Sequence, residues 1–450
     1  VATPHSPAAS DGARCPMFDG TFTADPQQIY DRVRAHGPAG PVELAPGVDA
    51  TLVVEHETAL RVLQNPSLFA RDSRRWRALN EGRVPLDSPI LAMMAYRPNC
   101  LFTDGAVHLR LRQAVTATFD RLNMTRLRRD VEPIADFLID QFSERGRADL
   151  INDYAKMLPL LLFNKLFGCP ADIGDTLTSS LGALFDGIDV QRANAELTAS
   201  LMRLISIKRR QPADDVTSWL IQHPAGLTDE ELKDQLVMLM GAGFEPQRNL
   251  IGHALHLLLS KEGSGGSGML IEEAIDHVLW HNPPIANYAA HFPVRDVDLG
   301  GVIAEANSPV VISFAGANSD PALKEARESH NKGAHLAWGA GPHSCPAKDP
   351  ALVIAITAIE RILNALPDLA LTVPDEQLQW RPGPFQHALA ALPVRFSPTP
   401  ATRMVSALQT AAPLPPAEQP GAPAASEPER QGQPAPKRGF WSTLVDLFRV

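Results

Sequence analysis

The segment His335-Leu336-Ala337-Trp338-Gly339-Ala340-Gly341-Pro342-His343-Ser344-Cys345-Pro346-Ala347 decides how the rest of the chain is read. It is a glycine-rich loop holding one cysteine, and apolar residues at Ala351, Ile354, Ile356, Ile359 and Leu363 predict a helix directly after it. A sulfur just ahead of a helix N-terminus meets free backbone N–H groups and the positive end of the helix dipole, which favours the thiolate. Glycines let a flat ligand approach the backbone closely. An isolated free cysteine is more often a packed, unreactive hydrophobe, so the reading of this loop depends on the rest of the chain.

The surrounding 450 residues are 44% hydrophobic and 20% charged, with a net charge of −10. That composition describes a globular core rather than a disordered chain. The acidic balance argues against a nucleic-acid partner, because phosphate backbones attract basic surfaces. Cys15, Cys100, Cys169 and Cys345 lie far apart with no CxxC spacing, which excludes a zinc module and a disulfide framework. No window approaches the ~18 uninterrupted apolar residues of a membrane span. Val1-Ala2-Thr3-Pro4-His5 shows neither a basic nor an apolar leader segment. The expected location is the reducing cytoplasm.

The chain divides by composition. Residues 1–400 carry the apolar patterning of a single large domain, expected to be mostly α with small β-sheets. Thr228-Asp229-Glu230-Glu231 reads as a capping box. From there Leu232, Leu236, Leu239, Met240, Leu250, Ile251, Leu255 and Leu258 predict a helix of about 30 residues, ~45 Å long. Gly241-Ala242-Gly243-Phe244-Glu245-Pro246 interrupts it and should open its hydrogen-bond ladder. Strand patterns occur at Ala50–Val54, Val310–Phe314 and Leu392–Phe396. Residues 401–436, rich in Pro and Ala, read as a disordered linker. In 437–450, Phe440, Trp441, Leu444, Leu447 and Phe448 form an apolar stripe behind Lys437-Arg438, which predicts an amphipathic helix suited to a membrane surface or a partner's groove. A frayed tail is the competing reading, since short isolated helices are marginal in water.

The cysteine loop resembles that of the cytochrome P-450 superfamily, the haem-thiolate monooxygenases, whose pattern is Phe-Gly-x-Gly-x-His/Arg-x-Cys-x-Gly. Gly339, Gly341, His343 and Cys345 match it, with Trp338 for the phenylalanine and Ala347 for the last glycine. Further landmarks follow in the family's order: Asp104-Gly105-Ala106-Val107-His108-Leu109-Arg110-Leu111-Arg112 with Phe119, then Ala242-Gly243-Phe244-Glu245, Pro283-Pro284, Asp296–Gly301, Ala317–Pro321 and Leu389–Phe396. The chain is therefore similar to a bacterial, actinobacterial-type member over residues 15–398. The resemblance implies the cytochrome P-450 fold, with a long I helix crossing a haem b (iron protoporphyrin IX). It implies Cys345 as the iron ligand and Ala242, Trp338, Gly339 and His343 as cofactor contacts. His108, Arg112 and His291 are implied at the haem propionates.

Three departures qualify the match. Pro246 stands where the family keeps the threonine that assists proton delivery, and proline offers no side-chain donor; Glu245 and Gln247 are the expected catalytic substitutes. The Glu-x-x-Arg pair falls on His277-Val278-Leu279-Trp280, which either removes a buried ion-pair network or replaces it with stacking of imidazole and indole. His291 occupies the place of a propionate-binding arginine, a role open to a protonated imidazole. The implied activity is insertion of one oxygen atom into a small organic substrate with electrons from a ferredoxin. Met240, Phe244, Ile285, Ala286 and Asn287 are the expected substrate contacts. The alternatives are a haem-binding regulatory or interaction protein with weak or peroxide-driven turnover, and a haem-free remnant.

Overall fold

A computed structural model describes residues 14–186, 188–260, 268–329 and 334–401. The linker beyond residue 401 and the terminal helix expected over 437–450 lie outside these residues. β-Branched and apolar runs assemble a six-stranded sheet from β1 (Cys15–Pro16), β2 (Ala39–Ala45), β3 (Val48–Val53), β4 (Phe69–Ala70), β5 (Asn287–Pro293) and β6 (Val310–Ser313). Its order is β1-β2-β3-β6-β5-β4, so the middle of the chain returns to pair with its beginning. The strands expected near Ala50 and Val310 both belong to it, while Pro393–Arg395 pairs with Ala370–Leu371 and Arg147–Asp149 in a second, three-stranded sheet.

Helices make up most of the rest. Those that shape the site are α1 (Gly105–Phe119), α2 (Asp229–Leu259), α3 (Ile271–His281) and α4 (Lys348–Ala365). The capping box of α2 forms in both directions: Glu231 N–H donates to the Thr228 hydroxyl at 3.2 Å, and Thr228 N–H to the Glu231 carboxylate at 3.0 Å. At 31 residues, α2 matches the length read from its periodicity. The expected interruption takes a different form, because the helix stays α-helical through Pro246. Proline removes only one donor, the N–H that would reach the Ala242 carbonyl. Buried side chains on either side, from Phe244 to Leu255, hold the two halves in line.

Two apolar cores meet on this helix. Leu232, Leu236, Met240 and Phe244 pack with Leu111, Ala114 and Val115 of α1. Leu250, Ile251, Ala254 and Leu255 pack with α3 and with Ile354, Ala358 and Ile359 of α4. Each such side chain contributes roughly 1.5–3 kcal/mol on burial, so α2 is anchored at both ends while its middle borders a cavity. Among the described residues no helix is long and apolar enough to cross a membrane.

Candidate active site

The cysteine loop is shaped by its glycines. Gly339 and Gly341 have φ of +66° and +69°, a region that L side chains rarely adopt. A Cβ on Gly341 would also lie 2.3 Å from the Leu63 carbonyl oxygen. The loop closes through Cys345 N–H, which donates to the Trp338 carbonyl at 2.8 Å. Cys345 is exposed, and the space it faces is a cavity of about 290 Å³ bounded opposite by α2. Although the residue is accessible, its sulfur is enclosed by the cavity walls, and this desolvation raises the thiol's pKa, while the Ala347 N–H and the Arg112 guanidinium act to stabilise the thiolate.

Cationic and imidazole groups gather at one end of this cavity. His108 and Arg112 share a face of α1, as their spacing requires. Arg112 donates to the Ser344 carbonyl, tying α1 to the cysteine loop. His108 packs against His343 with the rings tilted by 35° and their centroids 4.0 Å apart. Arg71, Arg112, His291, Trp338 and His343 line the space, and His108 does not. Asp104, the acid at this end, uses its carboxylate to accept the backbone N–H groups of Arg71 and Asp72. Burial, then neighbouring guanidinium charge, lowers the pKa of His108 and His291. His343 is lowered by the same causes, with Arg71 the first of its charged neighbours. Burial and the Arg71 charge thus act against the protonated form of His291. The positive charge is supplied by Arg71 and Arg112.

The opposite wall is built by Leu239, Ala242, Gly243, Pro246, Gln247 and Leu250. Gly243 is required by packing: a Cβ there would lie 2.5 Å from the Phe163 ring. Gln247 lines the cavity and donates from Nε2 to the Ala351 carbonyl at 3.1 Å. No described residue donates to its side-chain oxygen, and the carbonyl of Ala242 lacks its helical donor because of Pro246.

Several expected site residues do not line the cavity. Glu245 is buried between Arg248, at 3.7 Å, and Arg381 of the β7 (Trp380–Arg381) and β8 (Ala388–Leu389) pair. It is thus held in a buried charge cluster rather than set toward the ligand space. Met240 and Phe244 belong to the core shared with α1, because they lie about 200° around the helix from Ala242 and Pro246. Of the three residues after Pro284, only Ile285 lines the cavity. Ala286 N–H donates to the Phe385 carbonyl at 2.9 Å, and Asn287 Nδ2 donates to the Tyr30 hydroxyl at 3.0 Å. Tyr288 and Ala289 line the cavity instead.

The lost ion pair of α3 has a neutral successor. Trp280 meets an imidazole edge-on, at 5.6 Å between centroids, but the partner is His335 rather than His277. His277 stacks with His281 at 4.2 Å. Beside Trp280, buried Asn318 donates to the Leu279 carbonyl at 3.0 Å and accepts the Leu336 N–H at 2.8 Å. This clasp joins the end of α3 to the start of the cysteine loop.

No protein-family profile matches the chain. The chain is 33% identical over 394 residues to the cytochrome P450 monooxygenase PikC of Streptomyces venezuelae, covering 83% of this chain and 92% of that one. The chain belongs to the cytochrome P-450 superfamily. It is also 27% identical to the vitamin D(3) 25-hydroxylase of Pseudonocardia autotrophica, over 85% of this chain and 96% of that protein. Its fold is similar to that of CYP154C4 from Streptomyces sp. W2061, with a TM-score of 0.75, 27% identity and coverage of 85% of this chain and 97% of that one. The protein is accordingly a cytochrome P-450-type oxidoreductase of bacterial kind, and the family implies a haem.

The site fits such a group. His108 Nε2, His291 Nδ1 and Trp338 Nε1 are buried without a hydrogen-bond partner, a costly state for polar atoms unless something else meets them. The two guanidiniums beside them suit the carboxylates of a haem edge, and the sulfur of Cys345 suits its iron. Arg71 was not among the residues singled out in the sequence, and Trp280 was expected to meet His277 rather than His335. Arg71 sits in the arginine-rich run Arg71–Arg75, where nothing local distinguishes it from its exposed neighbours.

Proposed function

We propose that the protein is a monooxygenase that holds haem b through the Cys345 thiolate and oxidises an apolar organic substrate with electrons from a ferredoxin. The observation that carries this reading is the placement of Cys345 and the middle of α2 on opposing walls of one cavity, with Arg71 and Arg112 at its end. When bound, the haem supplies the redox-active iron at which oxygen is activated, with the thiolate ligand favouring O–O cleavage. Arg112, with His108 and His343 beside it, would hold the haem carboxylates, and Trp338, Gly339 and Ala242 line the space the haem would occupy.

The substrate space is lined by apolar side chains, among them Val115, Phe163, Leu239, Ile285 and Phe314. Such a lining selects by shape and apolar area rather than by charge. One relative is named a vitamin D(3) 25-hydroxylase, which supports an apolar substrate here.

Proton handling differs from the family's arrangement because Pro246 carries no hydroxyl. Gln247 is the side chain that remains to hold a proton-carrying water, with its amide fixed by Ala351 and its oxygen available. The Ala242 carbonyl is a second acceptor on the same helix. This weakens coupling to ferredoxin and raises the share of peroxide-supported turnover. The test compares product formation with reduced ferredoxin and with hydrogen peroxide. Pro246→Thr raises the ratio of product to electrons consumed on the ferredoxin route, because it restores a side-chain hydroxyl donor. An unchanged ratio, or no product by either route with a range of apolar substrates, would contradict the reading.

A further inference from the structure

The antiparallel register of β4 and β5 pairs Phe69 with Pro293 and Ala70 with Phe292. Continued by one residue, it sets Arg71 directly across from His291, and cross-strand neighbours have Cβ atoms about 5 Å apart. His291 is the position at which the resemblance calls for an arginine. The guanidinium missing from β5 is thus present one strand away.

Arg71 is 4% exposed and lines the cavity. Its Nε donates to the Leu101 carbonyl at 3.3 Å and its Nη1 to the Ala290 carbonyl at 2.9 Å. These two bonds fix the plane of the guanidinium and leave Nη2 without a partner among the described residues. The Tyr288 ring lies 6.0 Å from the guanidinium carbon. The Asp104 charge reaches Arg71 but forms no ion pair with it among the described residues: its carboxylate accepts backbone N–H groups and lies 3.9 Å from His343 Nε2. A buried guanidinium stays charged and is costly without an anion. We propose that Arg71 grips one carboxylate of the haem, taking over the role of the arginine that His291 replaces.

This inference rests on the haem reading above, and one experiment separates the two. The full-length protein is loaded either with protohaem or with its dimethyl ester, which lacks the carboxylate charges. Haem loss is then followed as transfer to excess apomyoglobin. With protohaem, Arg71→Gln speeds loss by about tenfold or more, the scale of one charge-assisted hydrogen bond. With the dimethyl ester, the same substitution changes the rate little, because no carboxylate remains to be gripped. Arg71→Lys keeps the charge but not the two carbonyl bonds, and falls between wild type and Arg71→Gln with protohaem alone. It also keeps the test available if Arg71→Gln fails to fold. Equal acceleration of both haem forms would show a merely structural role and overturn the proposal, as would no acceleration of either. Failure of the wild-type chain to take up protohaem would overturn the haem reading itself.

Discussion

The two walls of the cavity have departed from the family in opposite ways. On the sulfur wall Gly339, His343 and Cys345 are kept in the cavity lining, with Trp338 and Ala347 as substitutions there, while the scaffold behind them has been rebuilt. An ion pair on α3 has become the neutral clasp of Trp280, His335 and Asn318. On the α2 wall the scaffold is kept, as a capped and unbroken helix with an acid at Glu245, while the residue facing the ligand has changed to Pro246. Atoms that touch a cofactor are constrained by its geometry. A bracing role can be met by any contacts that satisfy the same backbone groups, and Asn318 satisfies two at once.

The sharpest way to break this comparison is to remove the clasp. Trp280→Ala leaves a large void beside His335 and is expected to cost about 3–5 kcal/mol of stability, read as a shift in the urea unfolding midpoint. Trp280→Phe should recover much of it. If Trp280→Ala unfolds like the wild type, the clasp is not the brace proposed. Next in size is Glu245→Gln. It leaves Arg248 and Arg381 facing a neutral amide inside the protein, and breaking such a buried charge pair costs about 3 kcal/mol. Because Glu245 does not line the cavity, the haem absorbance of this variant should keep its position. A shifted band would place Glu245 closer to the ligand than its ion pairs indicate.

The smallest expected effect concerns pH. Burial lowers the imidazoles of His335 and His387 to about 4 and that of His253 to about 3. An unfolded chain binds these protons near pH 6.5, so acidification favours unfolding. Their contribution is fully present above pH 6.5 and is lost as pH falls toward 4. The melting temperature of the protein should decline across that window. His387→Phe, which keeps the stack on Trp380 at 3.8 Å, should make the decline shallower; an unchanged slope would contradict the assignment.

Much of this was legible in the sequence where local spacing carries the information. The glycines of the cysteine loop, the capping box of Thr228 and Glu231, and the shared face of His108 and Arg112 all depend on neighbours within a few residues. The face of α2 that meets the cavity was readable in principle, since Ala242, Pro246 and Leu250 recur every four residues. Choosing Met240 and Phe244 as substrate contacts put the wrong side of the helix forward. Arg71 and Asn318 could not be read, because their roles come from strand β5, from the end of α3 and from a loop distant in the chain. Whether the segment over 437–450 forms the expected helix lies outside the described residues.

The central claim is that Cys345 holds haem iron as a thiolate although the charged brace behind its loop is gone. The reduced, carbon monoxide-bound difference spectrum of the purified full-length protein tests it directly. The account predicts a band at about 450 nm, the signature of thiolate ligation, and its loss in Cys345→Ser. A haem-loaded wild-type protein without that band, or a Cys345→Ser variant that retains it, would contradict the account.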